Sequence, residues 1–259
     1  MKTEDFIKLL REEIEELKKQ ITTDDGTWVV KGFIDTNKNI YTISTDTKVI
    51  SKIIELYIFP QIAKFAEKHN LELELTKEQN FYPDMTFKDS SGNLFAVDLK
   101  SSYRKDTTKI NGMTLGAFTG YFRDRKSNKN ITYPYDNYKA HIILGIIYDT
   151  LDKKNNERNI YTLDQLSTIK SVVSNFQFFV QEKWKIAIDR PGSGNTKNIG
   201  SVTKISELVN GKGKFSSLGK DVFDDYWKFY LTNDMAKAVE LKQPPYKNLE
   251  EYKRYKNLE

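Results

Sequence analysis

The sequence contains no cysteine. Disulfides, thiolate zinc sites and cysteine nucleophiles are therefore excluded. Histidine occurs only at His69 and His141, too little for a histidine-rich metal centre. Long apolar runs are also missing. The longest apolar stretch, residues 142–148, is far too short to cross a bilayer. Met1 leads into a charged helical pattern rather than a basic segment and an apolar core. No signal peptide is expected, and a soluble cytoplasmic protein without a membrane partner is the expectation. Strong charge of one sign is lacking too. A net charge of +5 permits nucleic acid as a partner without arguing for it.

What is present describes a folded chain. Aromatic residues make up 13% of the sequence, which disordered chains do not reach, and 259 residues suffice for a well-buried core. Phe6, Leu9, Leu10, Ile14 and Leu17 recur at three- and four-residue steps. They predict an amphipathic helix opened by Thr3, with Glu4 and Asp5 in its first turn. Residues 28–34 and 39–43 are β-rich and predict a hairpin across 35–38. Residues 46–68 predict a second helix with Val49, Ile50, Ile53, Ile54, Tyr57 and Ile58 on its buried side and Pro60 as a point of kinking. The period then changes. Leu71, Leu73 and Leu75 alternate with Glu72 and Glu74, as in a half-buried strand. Residues 82–87 and 94–99 predict a hairpin around the turn 89–93. Residues 139–148 predict a central strand and 172–188 another. A polar loop with three glycines spans 190–200, helical patterns lie near 203–209 and 221–231, and the charged end is expected to fray or coil into a helix. No linker divides the chain. The expectation is one domain, residues 1–259, of the α/β class, with a central mixed β-sheet flanked by helices.

The chemistry sits in Pro83-Asp84 and Asp98-Leu99-Lys100. On adjacent antiparallel strands Asp84 and Asp98 face each other at one end of the hairpin. Asp98 and Lys100, two apart, leave the same face of their strand. Two carboxylates and one ammonium then converge. Carboxylate oxygens are the donors Mg²⁺ prefers, and its retained waters can serve as nucleophile. Either fragment alone reads more simply as a turn residue or an exposed charge pair. Asp98, however, interrupts an apolar strand, where a charge is costly unless paired or bound to metal. Glu55 interrupts the apolar side of the preceding helix and is a further carboxylate candidate, with a salt bridge on the helix face as the equal alternative.

These residues resemble the signature of the PD-(D/E)xK nuclease superfamily. More narrowly, the chain resembles the EcoRV-like type II restriction endonucleases. The resemblance is carried in order by residues 44–48, 62–69, 79–84, 130–136, 181–184 and 192–201. It implies a restriction-endonuclease-like fold, a homodimer and Mg²⁺-dependent cutting of double-stranded DNA. The implied target is GATATC, cut to blunt ends with 5′-phosphate and 3′-hydroxyl. Asp84, Asp98 and Glu55 resemble the family's metal-site acids, and Lys100 its catalytic lysine. Gly192, Ser193, Gly194, Asn195, Thr196, Lys197 and Asn198 resemble the major-groove recognition loop. Gln79 and Asn80 resemble the minor-groove loop. Thr47, Ser102, Thr114 and Lys129 match positions near phosphates or the central base step. Glu78 and Lys197 depart from the family's pattern in these two loops.

The recognition loop also has its own reading. Gly192, Gly194 and Gly200 permit close backbone approach and positive φ, and Asn195, Thr196 and Asn198 carry base-edge donors and acceptors. By composition alone an ordinary solvent loop is the simpler reading. A phosphate-binding loop fails because position 197 is Lys where Gly is needed, so no nucleotide cofactor is expected. The hairpin, residues 27–43, is a candidate for the dimer contact. His141, Trp184 and Trp227 read as packing residues. Arg123, Arg125 and Lys126 read as a solvated basic turn. The competing functions are a structure-specific repair or junction nuclease, a non-cleaving DNA-binding protein, and an enzyme acting on small molecules, which would show no salt-dependent affinity for DNA.

Overall fold

The computed structural model describes residues 1–78, 80–151, 159–192 and 197–258. Helices α1 (Thr3–Glu12) and α2 (Ile14–Ile21) lead into a short hairpin of β1 (Gly32–Ile34) and β2 (Ile40–Thr42). Helix α3 (Thr47–Lys68) follows, then β3 (Glu72–Leu75), β4 (Met85–Lys88), β5 (Leu94–Tyr103) and β6 (Thr114–Ala117). Next come β7 (Tyr138–Thr150), β8 (Ile160–Tyr161), β9 (Val173–Glu182), the one-turn α4 (Lys183–Ile186), β10 (Ala187–Pro191) and β11 (Asn198–Ser201). Helices α5 (Ile205–Asn210), α6 (Lys220–Phe229), α7 (Asn233–Ala238) and α8 (Leu249–Lys256) complete the described chain.

The central sheet has the order β3-β4-β5-β7-β9. Strand β5 runs antiparallel to β4 but parallel to β7, and β9 returns antiparallel to β7. The sheet is thus mixed, as the sequence predicted. Each face carries its own core. Phe6, Leu10, Ile54, Ile58 and Phe65 cover one face together with Phe87, Phe95 and Val97 from the strands. Leu115, Phe118, Phe122, Tyr226 and Trp227 cover the other, against Ala96, Ile143 and Ile147. Burial on both faces explains why β7 reads as an unbroken apolar run. At its centre Gly145 pairs with Phe179, and a Cβ there would meet that ring at 2.1 Å. Two smaller sheets, β1-β2-β8 and β10-β11-β6, lie beside the main one. Among the described residues no helix is long and apolar enough to cross a membrane.

Four local expectations change. The first helix breaks into two at Glu13, which is buried and accepts hydrogen bonds from Gln61 Nε2 (2.6 Å) and Lys68 Nζ (3.3 Å) on α3. The early hairpin is shorter than 28–43, because Trp28 is fully buried in the core instead of pairing in it. Tyr57 sits on the outer side of α3; Ile50, Ile54, Ile58 and Ile62, one turn apart, form the inner stripe. The strand expected over 172–188 ends at Glu182, where α4 interrupts it before β10. Helix α3 continues through Pro60, capped by Asp46, whose carboxylate accepts from the Lys48 and Val49 amides.

Candidate active site

The hairpin of β4 and β5 is closed by Asp89. Its carboxylate accepts from the amides of Ser91 and Asn93, both at 2.9 Å, and from Asn93 Nδ2 at 2.7 Å. This turn sets the register Met85↔Val97 at the far end. Asp84 lies one residue beyond that pair, and its Oδ2 accepts the Leu99 amide hydrogen at 2.7 Å. Lys100 Nζ then stands 2.6 Å from Asp98 Oδ2 and 3.8 Å from Asp84 Oδ2. The convergence expected from strand alternation is therefore present. Asp98 is buried, whereas Asp84 and Lys100 reach solvent.

The electrostatics follow from this crowding. Burial, then the adjacent Asp98 charge, pushes the Asp84 carboxyl up to about 7. Burial acts upward on Asp98 too, but the Lys100 ammonium outweighs it and holds Asp98 below its usual value. Burial opposes the Lys100 charge, yet the two aspartates more than offset it and raise its pKa. Two buried or half-buried carboxylates with one shared ammonium leave an excess of negative charge. Their hard oxygen donors fit a divalent cation such as Mg²⁺. Among the described residues, no group of three His, Asp or Glu residues is arranged to hold a metal. Glu55, expected as a further acid, instead has Oε1 2.5 Å from Lys52 Nζ on the same helix. Its charge is still felt at Lys100. Glu55 stands beside the aspartate pair and does not complete a three-acid group with it.

An open cleft of about 460 Å³ begins at Lys100 and runs past Ser51, Ser101 and Asn111 to Thr114 and Gly192. It brings the base of the loop after β10 to the aspartate hairpin. Gly192 and Gly200 pack against each other there: a Cβ on Gly200 would lie 3.0 Å from Gly192 Cα. Neither has a positive φ, so close approach is the reason for glycine at both positions. Lys197 and Asn198 form the returning stem; the Lys197 carbonyl accepts from the Phe118 amide and the Asn198 carbonyl from the Gly192 amide. Gln79, Ser193, Gly194, Asn195 and Thr196 lie outside the described residues. A hollow of about 480 Å³ on the loop's other side, bounded by Lys197, Tyr230 and Lys247, holds neither aspartate of the pair.

The remaining expected contacts scatter. Thr47 opens α3, and Asn80 and Lys129 are exposed on loops. Ser102 is buried and donates to the Gly112 carbonyl at 3.0 Å, which anchors the 104–113 connection. Arg123 and Arg125 do not form a solvated turn. Arg123 donates to the Tyr230 carbonyl, while Arg125 pairs with Asp224 at 3.1 Å and lies over the Phe122 and Tyr135 rings. His141 is a buried packing residue, with Nδ1 2.8 Å from the Tyr82 hydroxyl. Sequence reading missed three residues. Ser51 and Ser101 bond to each other at 2.7 Å beside Lys100. Lys183 lies buried over the Tyr82 ring.

A profile described as restriction endonuclease EcoRV matches residues 24–257. The chain belongs to the EcoRV restriction endonuclease family. The type II restriction enzyme EcoRV of Escherichia coli is 40% identical over 230 residues, which span 87% of this chain and 90% of that enzyme. The EcoRV-family match thus contains Asp84, Asp98, Lys100 and the 192–198 loop together. NlaIV restriction endonuclease overlays 94% of this chain and 91% of its own, at 11% identity and a TM-score of 0.39.

Proposed function

We propose that this EcoRV-family member is a Mg²⁺-dependent endonuclease that hydrolyses double-stranded DNA. The observation that carries this reading is the Asp84–Lys100–Asp98 cluster at the open end of one hairpin. Asp84 and Asp98 would hold the cation. Bound there, Mg²⁺ supplies Lewis-acid charge to a phosphoryl oxygen and to the attacking water. Lys100 orients that water, or offsets the charge that builds on the phosphate in the transition state. Asp98, ionised and buried, fixes the Lys100 ammonium in place. Glu55 adds a negative charge near Lys100.

The finer reading is cleavage at GATATC to blunt ends with 5′-phosphate and 3′-hydroxyl. It is supported by identity to the Escherichia coli enzyme and by the residue types of the 192–198 loop. Asn195, Thr196 and Asn198 offer base-edge donors and acceptors, with Asn suited to adenine. Gln79 and Asn80 would follow the minor groove. Thr47, Thr114 and Lys129 would meet the backbone.

The whole chain acts as a single nuclease domain, and two copies form a homodimer. A palindrome is read by two identical loops related by a two-fold axis, with one active site on each strand. The early hairpin supports the contact. Phe33, Ile34 and Ile160, on β1 and β8 of one small sheet, are all more than half exposed and offer that contact apolar surface.

The test is digestion of a plasmid with known GATATC sites, with Mg²⁺ and with EDTA, followed by sequencing of the ends. Blunt Mg²⁺-dependent cuts at those sites are expected. Discrete cuts elsewhere would keep the nuclease and remove the target. Binding of DNA without cutting would overturn the enzyme reading.

A further inference from the structure

Lys183 begins α4, directly after the apolar strand β9. Its side chain is 1% exposed. Its Nζ has no hydrogen-bond partner. Glu182, the adjacent acid, is committed to Lys185 at 2.7 Å. The Lys183 amine instead lies 4.9 Å from the centre of the Tyr82 ring, 5.5 Å from Phe122 and 5.6 Å from Tyr135. Gly116 closes the box: a Cβ there would come within 3.4 Å of Nζ. The cavity beside it measures about 10 Å³, the lower limit for one water, so no ligand enters.

An unpartnered buried amine destabilises a fold, and its retention calls for another reason. The Tyr82 ring under the amine belongs to the segment Tyr82-Pro83-Asp84, which presents the first aspartate of the pair.

We propose that Lys183 is a positioning residue for the metal site, holding the segment that presents Asp84 through the Tyr82 ring. This rests on the reading of Asp84 and Asp98 as metal ligands. Lys183 touches neither substrate nor cation; it acts through the Tyr82 ring.

The experiment compares the full-length protein with Lys183→Met, which keeps the length without the charge, and with Lys183→Gln. Melting temperature in EDTA, Mn²⁺ affinity by calorimetry and the Mg²⁺ dependence of DNA cleavage are read for all three. The expected result is a melting temperature equal to or above that of the unaltered protein. Mn²⁺ affinity falls by about tenfold, with a parallel rise in the Mg²⁺ needed for cleavage. A purely structural lysine would instead lower the melting temperature and leave the metal affinity alone, and that result overturns the proposal. Unfolding of both variants overturns it as well. Failure of the unaltered protein to bind Mn²⁺ is a separate outcome: it sinks the assignment of the aspartates and, with it, the role of Lys183.

Discussion

The Asp84 carboxylate accepts the Leu99 amide hydrogen at 2.7 Å, across the end of the hairpin. That bond ties the first aspartate to the strand that carries the second, and it holds two like charges together. A raised carboxyl pKa means that the folded protein binds a proton that the unfolded chain has lost. Between pH 3.8 and about 7 the native state therefore holds the extra proton, so Asp84 costs stability progressively as pH rises through that window. In EDTA at pH 8, Asp84→Asn is expected to melt above the unaltered protein, by about 2–4 °C for each kcal/mol of relieved repulsion. The gap closes near pH 4. Mg²⁺ should raise the melting temperature of the unaltered protein and not of the variant. Scanning calorimetry at both pH values checks this.

Asp98→Asn and Lys100→Met address the chemistry. Each should lower cleavage by about 10³-fold or more, since each removes a charge aimed at the reacting phosphate or its metal. Lys100→Met keeps both aspartates, so Mn²⁺ binding should persist in it while Asp98→Asn loses it. Normal cleavage by Asp98→Asn would remove that residue from the site.

Asn195→Ala tests recognition. Cleavage of GATATC plasmids should be abolished or spread to related sites, with the circular dichroism spectrum unchanged. Unaltered cutting of the cognate site would dissociate the loop from specificity.

Asp89 governs the turn that aligns the pair. Burial alone would raise its pKa, but the Met1 amino group, Asn93 and Ser91 outweigh it and hold the carboxyl well below its usual range. Its stabilisation is present above the unfolded value of 3.8 and is lost as pH falls through the folded one. Asp89→Asn should cost about 1–3 kcal/mol in urea unfolding at pH 7, because the Met1 ammonium and Asn93 Nδ2 lose the carboxylate oxygen that accepts from them. The cost should shrink in strong acid.

Ile34→Asp places a charge in the exposed apolar surface beside Ile40, Tyr57 and Leu163. Sedimentation equilibrium should show monomers where the unaltered protein gives dimers. A dimer undisturbed by this change would assign the contact to another surface.

Local pattern alone carried the hairpin, the central strand and the convergence of Asp84, Asp98 and Lys100. Strand alternation and a five-residue turn are short-range rules, and Asp98 announces itself as a charge in an apolar run. Lys183 carries no such signal, since it stands among Gln181, Glu182 and Lys185 and only the fold buries it. Tertiary packing decided what periodicity cannot see. Glu13 splits a continuous helical pattern because its carboxylate is drawn to Gln61 and Lys68 on another helix. Tyr57 faces out because the inner stripe of α3 is already filled by isoleucines. Ser102 turns inward to a carbonyl ten residues away in sequence. Sequence determines which residues can share a face. Only the folded chain determines what that face meets, because the partners come from segments that no local period connects.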